Sequence, residues 1–229
     1  DQAMYQAKQR GRNCYQLFDS EQARQQRDLS EQQARVRDAL DSGELCLYYQ
    51  PKVDMQDGRV VGAEALLRWQ HPQLGLLSPA AFLPLIADSP LIVAVGQWVI
   101  DTALAQLDLW RRQGLVLTVS VNVAASQLQQ PDFAAQLAQS LARYPALPPA
   151  QLALEILESA ALRDIGQVSA VMQACAALGV SFALDDFGTG YSSLTYCKRL
   201  PASLLKIDQS FVRDMLDNSE DRALVEGVI

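Results

Sequence analysis

The sequence predicts an α/β protein whose mostly parallel strands wrap into a barrel behind a leading antiparallel hairpin. Three observations carry this prediction. Strand-like and helix-like runs alternate through the second half of the 229-residue chain, the pattern of a parallel sheet covered by helices. Two earlier strand-like runs are joined only by MQDG, too short for a parallel crossover. Four strands place a polar residue two positions after a small one, and residues two apart share a face.

Taken in order, DQAMYQAKQRGRNCYQLFD (residues 1–19) reads as a short helix stopped at Gly11 and a strand from Cys14 to Phe18, too little for a domain alone. SEQARQQRDLSEQQARVRDAL follows, rich in Gln, Arg and Glu, with apolar residues sparse before Val36 and Leu40. It reads as a solvated linking helix. LCLYYQPKVD and RVVGAEALLRW then form the hairpin. A Pro-rich segment, LSPAAFLPLIADSP, leads to a helix from Leu91 to about Gln113. Next come strand LVLTVSVNVA, helix PDFAAQLAQSLARY, strand QLALEIL, helix IGQVSAVMQACAALG and strand VSFALDD. A glycine-bearing loop, strand LLKID and a final helical start complete the pattern, without short repeats or low-complexity tracts. The chain opens on Asp1 and stops on DRALVEGVI without a capping Gly or Pro, so both ends are expected to be cuts.

Composition narrows the function. With 49% hydrophobic and 20% charged residues the chain has material for a sizeable core. A net charge of -7 and a pI near 4.7 argue against a general nucleic-acid or anionic-membrane binder. An anionic substrate stays open if bound metal supplies positive charge. Cys14, Cys46, Cys175 and Cys197 are scattered without a C-x-x-C pair, which reads as reduced thiols in the cytoplasm. His71, the only histidine, lies in WQHPQLG, where a turn role is expected. One histidine leaves little room for a zinc site, a Ser–His–Asp triad or a Cys–His dyad. The most apolar run, LIVAVGQWVI, is about ten residues, too short for a membrane span, and reads as buried helix. No signal peptide opens the chain, and no membrane contact is expected.

The polar residues are placed systematically. Gly62 precedes Glu64, Ser120 precedes Asn122, Ala153 precedes Glu155 and Ala183 precedes Asp185, each by two positions; Lys206 alone follows a bulky residue, Leu204. A closed barrel produces this pattern, with little space inside and functional groups at the C-terminal strand ends. An open doubly wound sheet is the alternative, but no G-x-G-x-x-G or G-x-x-x-x-G-K-[ST] loop is present. Taken singly, Asp186 reads as a helix N-cap, Glu155 as an arginine partner and Asn122 as a loop anchor. Taken together, the placements point to joint function. Glu64, Asn122, Glu155 and Asp185 offer only oxygen donors, which suit Mg2+ or Mn2+. Lys206 is a compact cation able to orient a water or counter developing negative charge. Phosphoester hydrolysis uses such a set best.

EALLR (Glu64–Arg68), with YYQPKVD, SVNVA, LEILE, DDFGTGYSSL and LLKID in that order, resembles the EAL domain family of cyclic di-GMP phosphodiesterases over about residues 27–229. The resemblance implies a TIM-type (β/α)8 barrel with an antiparallel first strand, here truncated before the last two strands. It implies two ions, Mg2+ or Mn2+, with Glu64, Asn122, Glu155 and Asp185 as ligands and Asp186 serving the second. It implies that Lys206 positions the attacking water, so that Lys206, Asp186 and Glu64 are the catalytic set. Arg68 resembles the family's phosphate contact, and Gln50 a substrate contact. Glu158 resembles the carboxylate that anchors the DFGTGYSS loop and couples the site to dimerisation; an exposed helix-start Glu is the alternative. Gly188 and Gly190 would give that loop its backbone freedom. The implied activity is opening of cyclic di-GMP to linear pGpG by a homodimer. The alternative is a catalytically incompetent EAL domain that binds the dinucleotide as a regulatory module.

Residues 1–19 resemble the last helix and strand of a GGDEF domain, which makes residues 20–26 a linker helix. The cyclase signature is not in the sequence, so no synthase activity is assigned. Leu157 stands where the family commonly has threonine. The family's later EGVE-type glutamate and QG motif are not in the sequence, and the EGV of residues 226–228 falls too soon after Lys206 to be the former. The 229-residue chain alone is therefore expected to act poorly.

Overall fold

The structure, a computed structural model, describes residues 20–189 and 200–228. The helix and strand expected within residues 1–19 lie outside the described residues, as does Gly190 with the rest of its loop. The strands are β1 (Leu45–Val53), β2 (Val60–His71), β3 (Gly75–Leu77), β4 (Thr118–Asn122), β5 (Leu152–Leu157), β6 (Ser181–Phe187) and β7 (Leu204–Ile207). They form one mixed sheet in the order β1-β2-β4-β5-β6-β7, with β3 beside β2. β1 is antiparallel to β2, as the four-residue connection requires, and β2, β4, β5, β6 and β7 run parallel. Among the described residues β1 and β7 each pair on one side only, so the sheet is an arc rather than a closed barrel.

Nine α-helices accompany this sheet among the described residues: α1 (Ser20–Asp41), α2 (Leu83–Ile86), α3 (Leu91–Arg112), α4 (Ala125–Leu128), α5 (Phe133–Ala142), α6 (Glu158–Arg163), α7 (Ile165–Ala177), α8 (Gln209–Asp214) and α9 (Ser219–Val228). The outward residues of β4, β5 and β6, among them Val119, Val121, Leu154, Ile156 and Phe182, are fully buried. They join Val99, Leu104, Leu137 and Met172 of the covering helices in one core.

The apolar run LIVAVGQWVI is the first half of α3, whose 22 residues match the helix expected from Leu91 to about Gln113. By length and composition it would suffice to cross a bilayer. Its Val95, Val99, Ile100, Ala103, Leu104 and Leu107 are instead buried in the protein core. The fourth strand is shorter than LVLTVSVNVA suggests. Its pairing with β2 begins at Gly62–Thr118 and with β5 at Val119–Leu152, leaving Leu115 and Val116 exposed and unladdered. β3 was not expected; it forms because His71 Nδ1 accepts from the backbone N–H groups of Gln73 and Leu74 and turns the chain back.

The helix read as a solvated link is exposed over its first two turns but docks at its end. Val36 and Ala39 are fully buried, and Gln33 Nε2 donates to Leu85 O. Arg35 and Trp69 both donate to Glu44 Oε2, at 2.5 and 2.9 Å, clamping α1 onto the hairpin.

Candidate metal centre

The site grows out of the parallel register. Glu64 lies opposite Ser120, Asn122 opposite Glu155, and Leu157 opposite Asp185, which steps the polar residues along the C-terminal edge of the sheet. Beneath them Gly62, Ser120, Ala153 and Ala183 keep the inner wall thin. A Cβ on Gly62 would stand 2.6 Å from the Thr118 carbonyl oxygen, so the β2–β4 contact requires glycine.

Carboxylate oxygens of Glu64, Glu155 and Asp185 lie within 4.8 Å of one another. Lys206 Nζ donates to all three: 3.1 Å to Glu64 Oε2, 2.6 Å to Glu155 Oε2 and 3.0 Å to Asp185 Oδ2. β7 and β2 are four strands apart; a flat sheet would separate them by about 19 Å, more than two side chains span. The arc must therefore curl strongly, and these bonds measure it. Asn122 Nδ2 donates to Glu64 Oε1 at 2.9 Å, leaving its amide oxygen as the free ligand atom.

Glu155 is fully buried, with 0% exposure. Burial pushes its carboxyl up, but hydrogen bonds from Lys206, Lys52 and Ser120 outweigh that and hold it below the usual range. Burial likewise opposes the Lys206 ammonium, yet its bonds to Glu155, Asp185 and Glu64 hold it well above an ordinary lysine. The donor set fits a hard divalent cation: all ligand atoms are oxygens, at the spacing two ligands of one ion adopt. Such a cation would share its oxygens with the Lys206 ammonium.

Asp186 departs from regular strand geometry. The β6–β7 register shifts between Leu184 and Phe187, and Asp186 has φ 55°, the sole left-handed non-glycine residue among those described. A bulge of this kind re-aims side chains. Burial, then the charges of Asp185 and Asp208, raise the Asp186 carboxyl above its ordinary value. The N-cap role considered for Asp186 belongs to Asp208, which accepts from the Ser210 N–H at 2.9 Å at the start of α8. Glu155 pairs with two lysines rather than with an arginine.

Glu158 is not an exposed helix-start residue. It is 2% exposed, and its Oε2 accepts from the Gly188 backbone N–H at 3.2 Å. Gly188 has φ 100°, which favours glycine. Arg68 shares the face of Glu64 one helical-free span of four residues up β2, about 13 Å away, and donates to Leu67 O at 2.8 Å near the Tyr48 ring. Gln50 lies opposite Glu64 on β1 and is exposed. Neither joins the carboxylate cluster.

Sequence reasoning missed Lys52. Its Nζ donates to Ser120 Oγ at 2.6 Å and to Glu155 Oε1 at 2.7 Å. The signal was present: Lys52 shares a face with Gln50, and its partner on β2 is Gly62, on the face of Glu64.

A mixed, mostly parallel α/β sheet curled about an oxygen-donor cluster able to hold a cation at its C-terminal strand ends is the architecture of metal-dependent barrel domains. Within that class, the chain belongs to the EAL domain family, whose profile matches residues 33–229. It is 42% identical to the Pseudomonas aeruginosa protein "Bifunctional diguanylate cyclase/cyclic di-GMP phosphodiesterase MucR", over 100% of this chain and 33% of the relative. It is also 42% identical to "Cyclic di-GMP phosphodiesterase PA2567" of the same organism, over 80% of this chain and 31% of the relative. The chain thus spans about a third of the length of the curated relatives it matches. Among solved structures, "PaMucR Phosphodiesterase, c-di-GMP complex" is similar with a TM-score of 0.81 and 43% identity, covering 86% of this chain and 80% of that one. The Pseudomonas aeruginosa FimX EAL domain bound to c-di-GMP gives a TM-score of 0.76 at 28% identity, covering 85% and 78%.

Proposed function

We propose that this chain is the hydrolytic module of a cyclic di-GMP phosphodiesterase, opening the cyclic dinucleotide to linear pGpG with two Mg2+ or Mn2+ ions. The observation that carries the reading is Lys206 meeting Glu64, Glu155 and Asp185, drawn from four different strands onto one spot. Further support comes from the names of the relatives and from the likeness to a c-di-GMP complex.

Glu64, Asn122, Glu155 and Asp185 would hold one ion, and Asp186 a second. A divalent cation bound there supplies Lewis-acid polarisation of the phosphoryl group and a more acidic water. Lys206 orients the attacking water and counters negative charge as it develops. Arg68, about 13 Å along β2 from Glu64, suits a phosphate of an extended ligand, with Gln50 on the neighbouring strand. Glu158 fixes the start of the DFGTGYSS loop through Gly188. We further read residues 1–19 as the end of a GGDEF domain, 20–26 as linker helix and 27–229 as an EAL domain whose last two strands lie beyond Ile229. The alignment of the bifunctional MucR over the whole chain supports that reading. A homodimer in the cytoplasm completes it.

The test is direct. The natural-length protein, given Mn2+ and cyclic di-GMP, is expected to yield pGpG on nucleotide chromatography, and Glu64→Ala to lower turnover at least about a hundredfold. Ligand binding without linear product would replace this reading with that of a binding-only EAL domain.

A further inference from the structure

We propose that Lys52 is a positioning residue of the metal centre: from the inner face of the sheet it pins one oxygen of Glu155 and so presents the other to the cation. The inference rests on the metal-centre reading above.

The two oxygens of Glu155 are held differently. Oε1 accepts from Lys52 Nζ at 2.7 Å, and Oε2 accepts from Lys206 Nζ at 2.6 Å. Lys206 also binds Glu64 and Asp185, so it contacts all three carboxylates of the acidic cluster. Lys52 binds none of the other carboxylates. Its second partner is the neutral hydroxyl of Ser120, 2.6 Å away and 2% exposed. When oxygens of Glu64, Glu155 and Asp185 turn to a cation, the Lys206 bonds compete with it and the Lys52 bond does not. Lys52 is therefore the fixed half of the Glu155 environment.

The sheet is built to allow this reach. Lys52 is on β1 and Glu155 on β5, three strands away. The β2 residue paired with Lys52 is Gly62, and the inward residue preceding Glu155 is Ala153. Both small residues line the same cleft as Lys52 and Glu155 and leave it open between them. The hydroxyl of Ser120, on the strand between, then fixes where the ammonium stops. Groups that orient a metal ligand from behind, without touching the metal, typically govern its affinity tenfold or more.

The experiment compares Mn2+ binding, by calorimetry without substrate, in the natural-length wild type, Lys52→Met and Lys52→Gln. Glu155→Gln serves as reference for loss of a ligand. Positioning predicts about a tenfold weaker Mn2+ affinity in Lys52→Met, with partial recovery in Lys52→Gln, which keeps a donor. At saturating Mn2+ the KM for cyclic di-GMP should stay near wild type. Unchanged Mn2+ affinity, with only a lower melting temperature, would make Lys52 a structural counter-ion and overturn the proposal. Tighter Mn2+ binding would overturn it too, since removal of a merely repulsive cation has that effect. If Lys52→Met does not fold, Ser120→Ala keeps every charge and loosens the ammonium; it should weaken Mn2+ binding about threefold, and an unchanged affinity counts against the proposal. Wild type that binds no Mn2+ would instead reject the metal-centre reading itself.

Discussion

Glu155 and Asp186 are both carboxylates at the C-terminal edge of the same sheet, yet their surroundings drive them in opposite directions. Glu155 ends a regular strand, is completely buried, and is held ionised by two lysines and a serine hydroxyl. Asp186 sits on a bulge with a left-handed backbone, is only partly buried, and faces Asp185 and Asp208. Burial alone would rank Glu155 as the reluctant anion. The reverse holds, because partners rather than depth set the sign. One position is a stiff fixture and the other a loaded one.

Substitutions test this contrast, beginning where the effect should be largest. Glu155→Leu removes the acceptor shared by Lys52 and Lys206, leaving both cations short of a partner. Their side chains are 31% and 24% exposed, so water relieves part of the penalty; the expected loss is about 2–4 kcal/mol in urea unfolding, below the full range for a broken buried pair. Mn2+ binding should vanish with it. Gly62→Ala attacks the wall beneath Glu155 by driving a methyl toward the Thr118 carbonyl. It should cost about 1–3 kcal/mol by the same measurement. Wild-type stability in this variant would show that the β2–β4 contact can relax.

At Asp186 the expectation reverses sign. Asp186→Gly relieves the left-handed backbone, worth about 1–2 kcal/mol, against up to about 1 kcal/mol of added unfolded-state freedom. A gain of up to about 1 kcal/mol with loss of turnover is the expected outcome. A destabilised Asp186→Gly would erase the distinction between the two positions.

The smallest effect is in pH dependence. The Glu155 carboxyl lies below its unfolded value when folded, so its contribution is present above that unfolded value and disappears as pH falls through the folded one. The Asp186 carboxyl lies above its unfolded value, so it costs stability as pH rises from near 4 (about the unfolded value) through the folded value. Melting curves of metal-free Asp186→Asn should lose that decline, whereas Glu155→Gln should soften the loss at the acid end. Identical profiles for both variants would mean the two carboxyls are equivalent.

Much of this arrangement was legible in the residues. The small-then-polar spacing located Glu64, Asn122, Glu155 and Asp185, because a tight inner wall leaves a mark in composition. The same rule hid Lys52: its predecessor on the face is Gln50, and its importance comes from a bond across two intervening strands that no local pattern records. Glu158 was equally ambiguous, since a Glu in a first helical turn is ordinarily solvated; only the approach of Gly188 from β6 gives it a buried partner. The extent of α3 was legible, Leu91 to about Gln113 against Leu91–Arg112, because its apolar positions keep helical spacing past Gln97, Asp101 and Asp108, which lie on the sides that meet Ser140 and the arginines of its last turn.

The bond from Lys206 to Glu64 joins residues 142 positions apart. The three carboxylates of β2, β5 and β6 thus all precede, in the chain, the cation that binds them together. Without β7 three clustered negative charges would repel one another, with Lys52 alone among the described residues bonded to one of them. Docking of β7 is thus both a strand addition and a neutralisation.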